Sequence, residues 1–267
     1  MKNDTSWGGV AGWYDDLLET SPDSFQAKVI LPNILRILEP KMRAGLSGMT
    51  VLDAACGQGY FSRAFAEKGA KVIGADISPE LIAFAAERSP KELQFHAAPA
   101  DSMPFMADAS ADAVTIVLAL QNIENLAGTV AECGRILKPG GRLVFVLNHP
   151  AFRIPGRSSW HWDEEKALQY RRIDAYMSDI QSKIDMTPGE PVAAKKKFTA
   201  TFHRPLQTYF KALIKSGLAV TRLEEWISHK ESQKGPRSVE EDRIRKEIPM
   251  FLMIEAIKRT AWAVRGN

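Results

Sequence analysis

Asp53 closes the apolar pair Val51-Leu52 and is followed by Ala54-Ala55-Cys56-Gly57-Gln58-Gly59, while a second carboxylate, Asp76, closes the apolar run Val72 to Ala75. Two closely spaced glycines permit a turn tight enough for the backbone to approach a ligand. A carboxylate at the end of the next strand can accept hydrogen bonds from ribose hydroxyls. The chemistry this set supports is the holding of an adenosine-containing cofactor. A dinucleotide fingerprint asks for glycine or alanine at its sixth position, where Ser62 stands, so that match is incomplete. Asp53, just ahead of the turn, would repel a pyrophosphate and suits a ligand carrying an ammonium group. S-adenosylmethionine has that ammonium, a sulfonium cation and no phosphate.

Asp53 to Gly59 resembles motif I of the class I S-adenosylmethionine-dependent methyltransferases. The similarity continues through Gly74-Ala75-Asp76-Ile77-Ser78, Pro99-Ala100-Asp101-Ser102-Met103-Pro104-Phe105, Ala111-Asp112-Ala113-Val114 and Leu137-Lys138-Pro139-Gly140-Gly141. These segments stand in the family's order and are more specific than one glycine loop. The stretch from Asn148 to Arg259 is similar to a bacterial small-molecule subgroup whose motifs specify no substrate. The resemblance implies a cofactor loop of Ala55, Gly57 and Gly59, with Asp53 accepting the methionine ammonium directly or through water. Asp76 would bridge the ribose hydroxyls, with Ile77 and Ser78 beside it. Asp101 would accept from the adenine amino group while Ala100 or Ser102 offers backbone amides to the ring, and Leu118 would line the cofactor. Each carboxylate also has a plainer reading as a turn or helix cap. Gln121 stands where many relatives carry a histidine, which removes one candidate base and leaves an amide that could orient a substrate.

The elements that must position these residues are legible as alternating strands and helices. Strands are expected near 49–54, 71–76, 92–97, 112–118 and 141–148, with helices near 59–68, 79–88 and 125–137. Ser78-Pro79 reads as a helix start and Lys138-Pro139-Gly140-Gly141 as a stop. A helix near 205–216 and strands near 218–227 and 249–257 complete the pattern. The alternation predicts an α/β, Rossmann-like fold, with a mostly parallel seven-stranded sheet and helices on both faces. The chain reads as one domain in four parts. Residues 1–48 form an N-terminal helical cover, in which Pro32 breaks or kinks a helix over Ser24 to Leu38. Residues 49–148 are the cofactor core, and residues 149–204, rich in aromatic and basic positions, are a substrate lid inserted after the fifth strand. Residues 205–267 complete the sheet.

The acceptor side is less determined. Candidate bases are His149, directly after the fifth strand, and His203. Tyr14, with Trp13, could cover the cofactor, bind its carboxylate end or take part in catalysis. Gln121, His149, Trp160, Trp162, Arg171 and Arg204 are the substrate candidates, the tryptophans for a flat or apolar acceptor and the arginines for an anionic one. Lid packing and structural hydrogen bonding compete with every one of these roles. Cys56 fits a small-residue loop position better than a nucleophile.

The 267 residues are 45% hydrophobic and 25% charged, enough for one large core. A net charge of +3 gives little support for nucleic-acid binding. No apolar run reaches the ~20 residues of a membrane span, and the start of the chain lacks an apolar signal region. Two cysteines without clustered histidines give no zinc pattern and suggest reduced thiols in the cytoplasm. The expectation is a cytoplasmic monomer or homodimer that methylates an oxygen, nitrogen or carbon nucleophile of a small-molecule acceptor, without a metal. The alternatives are a nucleic-acid or protein methyltransferase, and a non-catalytic S-adenosylmethionine-binding protein.

Overall fold

The computed structural model describes residues 7–10, 12, 21–39, 45–185 and 198–260. Five apolar segments of the first half form β1 (Thr50–Ala54), β2 (Lys71–Asp76), β3 (Gln94–Ala97), β4 (Ala111–Val117) and β5 (Leu137–Asn148). Together with β10 (Leu218–Trp226) and β11 (Phe251–Lys258) they make one seven-stranded sheet in the order β10-β11-β5-β4-β1-β2-β3. The first five strands pair in parallel, and β11 runs antiparallel to both β5 and β10. The expected mostly parallel sheet is therefore present. The chain reverses direction between β1 and β4, which opens a crevice at the carboxyl ends of these neighbours.

Side chains alternate across the pleat and bury both faces. Val51, Val72, Val144 and Val146 pack with α1 (Leu31–Leu38) and α2 (Tyr60–Glu67). Leu52, Ile73, Val114 and Phe145 pack with α4 (Leu126–Ile136) and α5 (Leu206–Lys215). Between these, α3 (Pro79–Arg88) starts where expected, with the Ser78 hydroxyl accepting the Leu81 N–H at 3.2 Å. α6 (Ser238–Glu247) joins β10 to β11 and was not expected, because its mostly charged sequence carries little apolar periodicity.

Pro32 does not break the N-terminal helix. Gln26–Ile30 forms a π-helical segment that runs straight into α1, and Pro32 falls in the first turn of α1. The Leu31 N–H reaches back five residues to the Gln26 carbonyl, so the missing proline donor lies where the hydrogen-bond register changes. β5 starts four residues before the expected 141. The helix stops at Ile136 and the strand begins immediately, with an irregular register across Ala111 to Ala113 that absorbs the glycines.

The segment expected as a lid is β structure. β6 (Ser158–Asp163) pairs with β7 (Leu168–Ile173), and β8 (Ile180–Asp185) pairs with β9 (Phe198–His203). Among the described residues no helix is long and apolar enough to cross a membrane.

Arg142 on β5 ties α1 to the sheet. Its guanidinium donates to the Ile37 and Leu38 carbonyls at 2.8 and 2.5 Å and lies 3.5 Å from Glu255, itself buried. Arg142→Met should lower stability by about 3 kcal/mol, because it frees two helix-end carbonyls and leaves Glu255 weakly paired. Urea unfolding followed by circular dichroism checks this; a loss below about 0.5 kcal/mol would show that Arg142 anchors nothing.

Candidate functional site

A cavity of about 700 Å³ opens at the carboxyl ends of β1, β2 and β4. The loop after β1 supplies Ala55, Cys56 and Gly57, with Asp53 below them. The end of β2 supplies Asp76 and Ile77, and the turn after β3 supplies Ala98 to Asp101. Val117 to Ala119 and Gln121 to Asn125 close the side beyond β4. Trp7 and Gln26 reach it from the N-terminal part, Asn148 from the end of β5 and Ile184 from β8.

Two buried carboxylates set its electrostatics. Asp53 accepts the Ser62 hydroxyl at 2.6 Å and the Thr115 hydroxyl at 3.0 Å. Burial, helped by the charge of the nearby Asp76, pushes its pKa up to about 6 against the pull of those hydrogen bonds. Asp76 accepts the Gly57 and Ser78 backbone N–H groups, both at 2.9 Å, and burial also raises its pKa. The two N–H groups orient this carboxylate without neutralising it. Asp101 accepts the Asn125 amide at 2.7 Å, and the same Asn125 caps α4 through the Gly128 N–H at 3.0 Å. Glu124 is the fourth carboxylate residue of the lining, and among the described lining residues none is a lysine or arginine. The cavity therefore favours a cation.

The backbone is strained where it meets this space. Ala55 and Leu118, each just beyond the end of a central strand, have φ of 57° and 54°. Non-glycine residues in the left-handed region cluster at sites whose surroundings over-determine them, and both of these line the cavity. Gln121 donates from Nε2 to the Leu118 carbonyl at 2.7 Å, which fixes the amide orientation and leaves Oε1 buried without a partner.

Of the residues singled out in the sequence, Asp53, Ala55, Gly57, Asp76, Ile77, Ala100, Asp101, Leu118 and Gln121 line the cavity. Gly59, Ser78 and Ser102 do not. Gly59, at φ 81°, is the N-cap of α2, and Ser78 caps α3. The expected bases also lie outside the lining. His149 Nδ1 accepts the Ala151 N–H at 3.2 Å, so the proton sits on Nε2, which donates to Glu225 at 2.7 Å. Burial lowers its pKa and keeps the ring neutral. His203 meets the Tyr176 carbonyl through Nε2 at 2.9 Å. Trp160 and Trp162 are stacked by arginines of the protein itself, and Arg171 donates to the Phe152 carbonyl and the Ser158 hydroxyl, both at 2.8 Å. Arg204 donates to the Ile123 and Glu124 carbonyls at 2.9 and 2.7 Å, holding the loop that walls the cavity. Trp13 and Tyr14 lie outside the described residues. Asn148 was missed although it ends β5, the kind of strand-end position that faces the crevice. Gln26 and Ile184 arrive through tertiary packing, and no local signal marks them.

The family described as "Methyltransferase domain" matches residues 52–145. A demethylmenaquinone methyltransferase of Tropheryma whipplei (strain Twist) is 38% identical over 113 residues, covering 41% of this chain and 46% of that protein. A ubiquinone biosynthesis O-methyltransferase of Aromatoleum aromaticum is 34% identical over 116 residues, 42% of this chain and 50% of that protein. The chain thus spans about half the length of the curated relatives it matches. An S-adenosylmethionine dependent methyltransferase from Mesorhizobium loti superposes with a TM-score of 0.66 at 28% identity, over 84% of this chain and 96% of that one. The chain carries a class I S-adenosylmethionine-dependent methyltransferase domain, and S-adenosylmethionine is the cofactor such a domain takes. The acidic strand-end cavity fits that molecule, which brings two positive charges and no phosphate.

The raised Asp53 pKa has a definite sign. The buried carboxyl favours its proton, so its contribution to stability is full below pH 3.8, declines as pH rises, and is gone above about 6. Asp53→Asn should therefore stabilise the ligand-free protein at pH 7.5, by on the order of 1–3 kcal/mol. The gain should shrink between pH 6 and 4. Unfolding midpoints across that range check this, and a variant less stable than the parent at pH 7.5 would contradict it.

Proposed function

We propose that the protein transfers the methyl group of S-adenosylmethionine to an oxygen, nitrogen or carbon nucleophile of a small-molecule acceptor. The observation that carries this is the placement of Asp53, Asp76 and Asp101 at three successive strand ends around one cavity. Asp53 would balance the ammonium, directly or through water. Asp76, its orientation fixed by the Gly57 and Ser78 amides, would accept the ribose hydroxyls. Asp101 would accept the adenine amino group, between the half-exposed Ile77 side chain and the Ala100 backbone.

S-adenosylmethionine, when bound, supplies a methyl carbon activated by the sulfonium: the bond to the nucleophile forms as the carbon–sulfur bond breaks and its electron pair stays on sulfur. The chain's own task is alignment and exclusion of water. Leu118 would line the cofactor and Gln121 would stand on the acceptor side, with its unpartnered Oε1 free to take a hydrogen bond from an acceptor hydroxyl or amine. The 149–204 insertion is read as the acceptor lid, a reading supported by Ile184 of β8, which reaches the cavity wall. His149 and His203 are held by internal hydrogen bonds and lie off the cavity lining, which does not support a base role, so the acceptor would lose its proton to water or to a group of its own.

The curated relatives carry names with different acceptors, which supports a shared cofactor chemistry and leaves the particular acceptor open. Two buried free cysteines, Cys56 and Cys133, support a reducing cytoplasm.

Calorimetric titration with S-adenosylmethionine, S-adenosylhomocysteine and NAD tests the reading. The first two should bind and NAD should not; binding of NAD alone would overturn it. Asp76→Ala should weaken S-adenosylmethionine at least about tenfold while leaving the fold intact, since a charged acceptor of two hydroxyl hydrogen bonds is lost. Unchanged affinity in the folded variant would remove Asp76 from the ribose site.

A further inference from the structure

Outside the cofactor cavity, two arginines from separate elements meet at one tryptophan ring, and the charge of a third, on α6, acts on one of them. Arg153 lies in the turn after β5, where its N–H bonds the His149 carbonyl at 2.7 Å. Arg171 stands on β7 directly opposite Trp160 of β6. Arg245 belongs to the last turn of α6, which is fixed against the hairpin by the Gln169 N–H donating to Glu240 at 3.0 Å. The guanidinium carbons of Arg153 and Arg171 lie 5.8 and 4.8 Å from the centre of the Trp160 ring. All three arginines are only partly exposed.

Their neighbours on the same hairpin and helix are treated differently. Arg237, 4.6 Å from the Trp162 ring centre, is paired with Glu164 at 2.5 Å, and Arg243 is paired with Glu240 at 2.7 Å. Among the described residues no carboxylate forms an ion pair with Arg153, Arg171 or Arg245. Arg245 acts on Asp242, whose Oδ1 is already taken by the Ser232 N–H at 2.7 Å. Arg171 spends Nε and one Nη2 proton on Phe152 and Ser158, which locks its fork and leaves the Nη1 edge open. Arg153 Nε is buried without a hydrogen-bond partner. Burial first, and then the charges of Arg171 and Arg245, push the Arg153 pKa down to about 10. A fixed, half-buried, mutually repelling set of cations is costly unless an anion completes it.

We propose that Arg153 and Arg171, with Trp160 as their platform, and Arg245 beside them form a binding site for a compact polyanion bearing phosphate or carboxylate oxygens. The arginines satisfy what such a ligand needs: planar forks that donate in pairs, held apart on rigid elements. The site is distinct from the acidic cavity and does not depend on the methyl-transfer reading. It lies beyond Asn148, at the carboxyl end of β5, on the opposite side of β4 from β1 and β2. A separate anionic ligand would be held there.

The test is calorimetry on the full chain with pyrophosphate and with citrate at fixed ionic strength in chloride. At least one should bind well above chloride competition, and the preferred one separates phosphate from carboxylate chemistry. Arg153→Met and Arg245→Met should each weaken that binding at least about tenfold, as expected for losing a charge-assisted hydrogen bond. Arg172→Met, on the opposite face of the same strand, should bind like the parent. Should Arg153→Met fail to fold, Arg245→Met carries the comparison alone. Absence of binding to either anion, or equal losses in the Arg172 variant, would overturn the proposal.

Discussion

The structure depends on a carboxylate kept where water cannot reach it. Asp53 sits at the end of the central strand, almost fully buried, and holds hydroxyls from α2 and β4. Burying a charge without a partner opposes folding, and two neutral hydroxyls only partly offset it. Asp76, one strand over, adds like charge. The protein thus holds an electrostatic deficit at the centre of its sheet, which a cationic ligand group beside Asp53 would relieve. Placement of binding groups at the cost of stability is common at functional sites.

That constraint explains much of the local architecture. The left-handed Ala55 and Leu118 bring backbone to the rim of the acidic cavity from adjacent strands. Gly57 donates its N–H to Asp76, so the loop after β1 and the end of β2 hold each other in place. Asn125 links Asp101 to the cap of α4, and Arg204 pins the Ile123 and Glu124 carbonyls. Residues that looked reactive in sequence often serve as this scaffold. His149 holds the turn after β5 through Nδ1 and bonds Glu225 of β10 through Nε2.

The sheet was legible because its parallel strands are short apolar runs divided by strong start and stop signals, such as Ser78-Pro79. Most of the residues that line the cavity were legible because they belong to contiguous loops at strand ends. The acceptor side was not. β6 to β8 carry only partly buried and exposed residues, so their own pattern marks no core face. α6 carries too few apolar residues to show a face. Trp160, Arg171 and Arg204 lie off the cavity lining, which the sequence could not show because it gives residue type and not direction. Arg153 and Arg245, separated by 92 positions in the chain, could not have been associated before folding.

The most direct measurement is the affinity for S-adenosylmethionine as a function of pH from 5 to 7.5, in the parent and in Asp53→Asn. If the buried carboxylate must ionise to receive the cation, affinity in the parent should fall toward tenfold per pH unit below about 6. The asparagine variant should bind more weakly at pH 7.5 and show a flatter profile. Affinity in the parent that does not change between pH 5 and 7 would contradict the account.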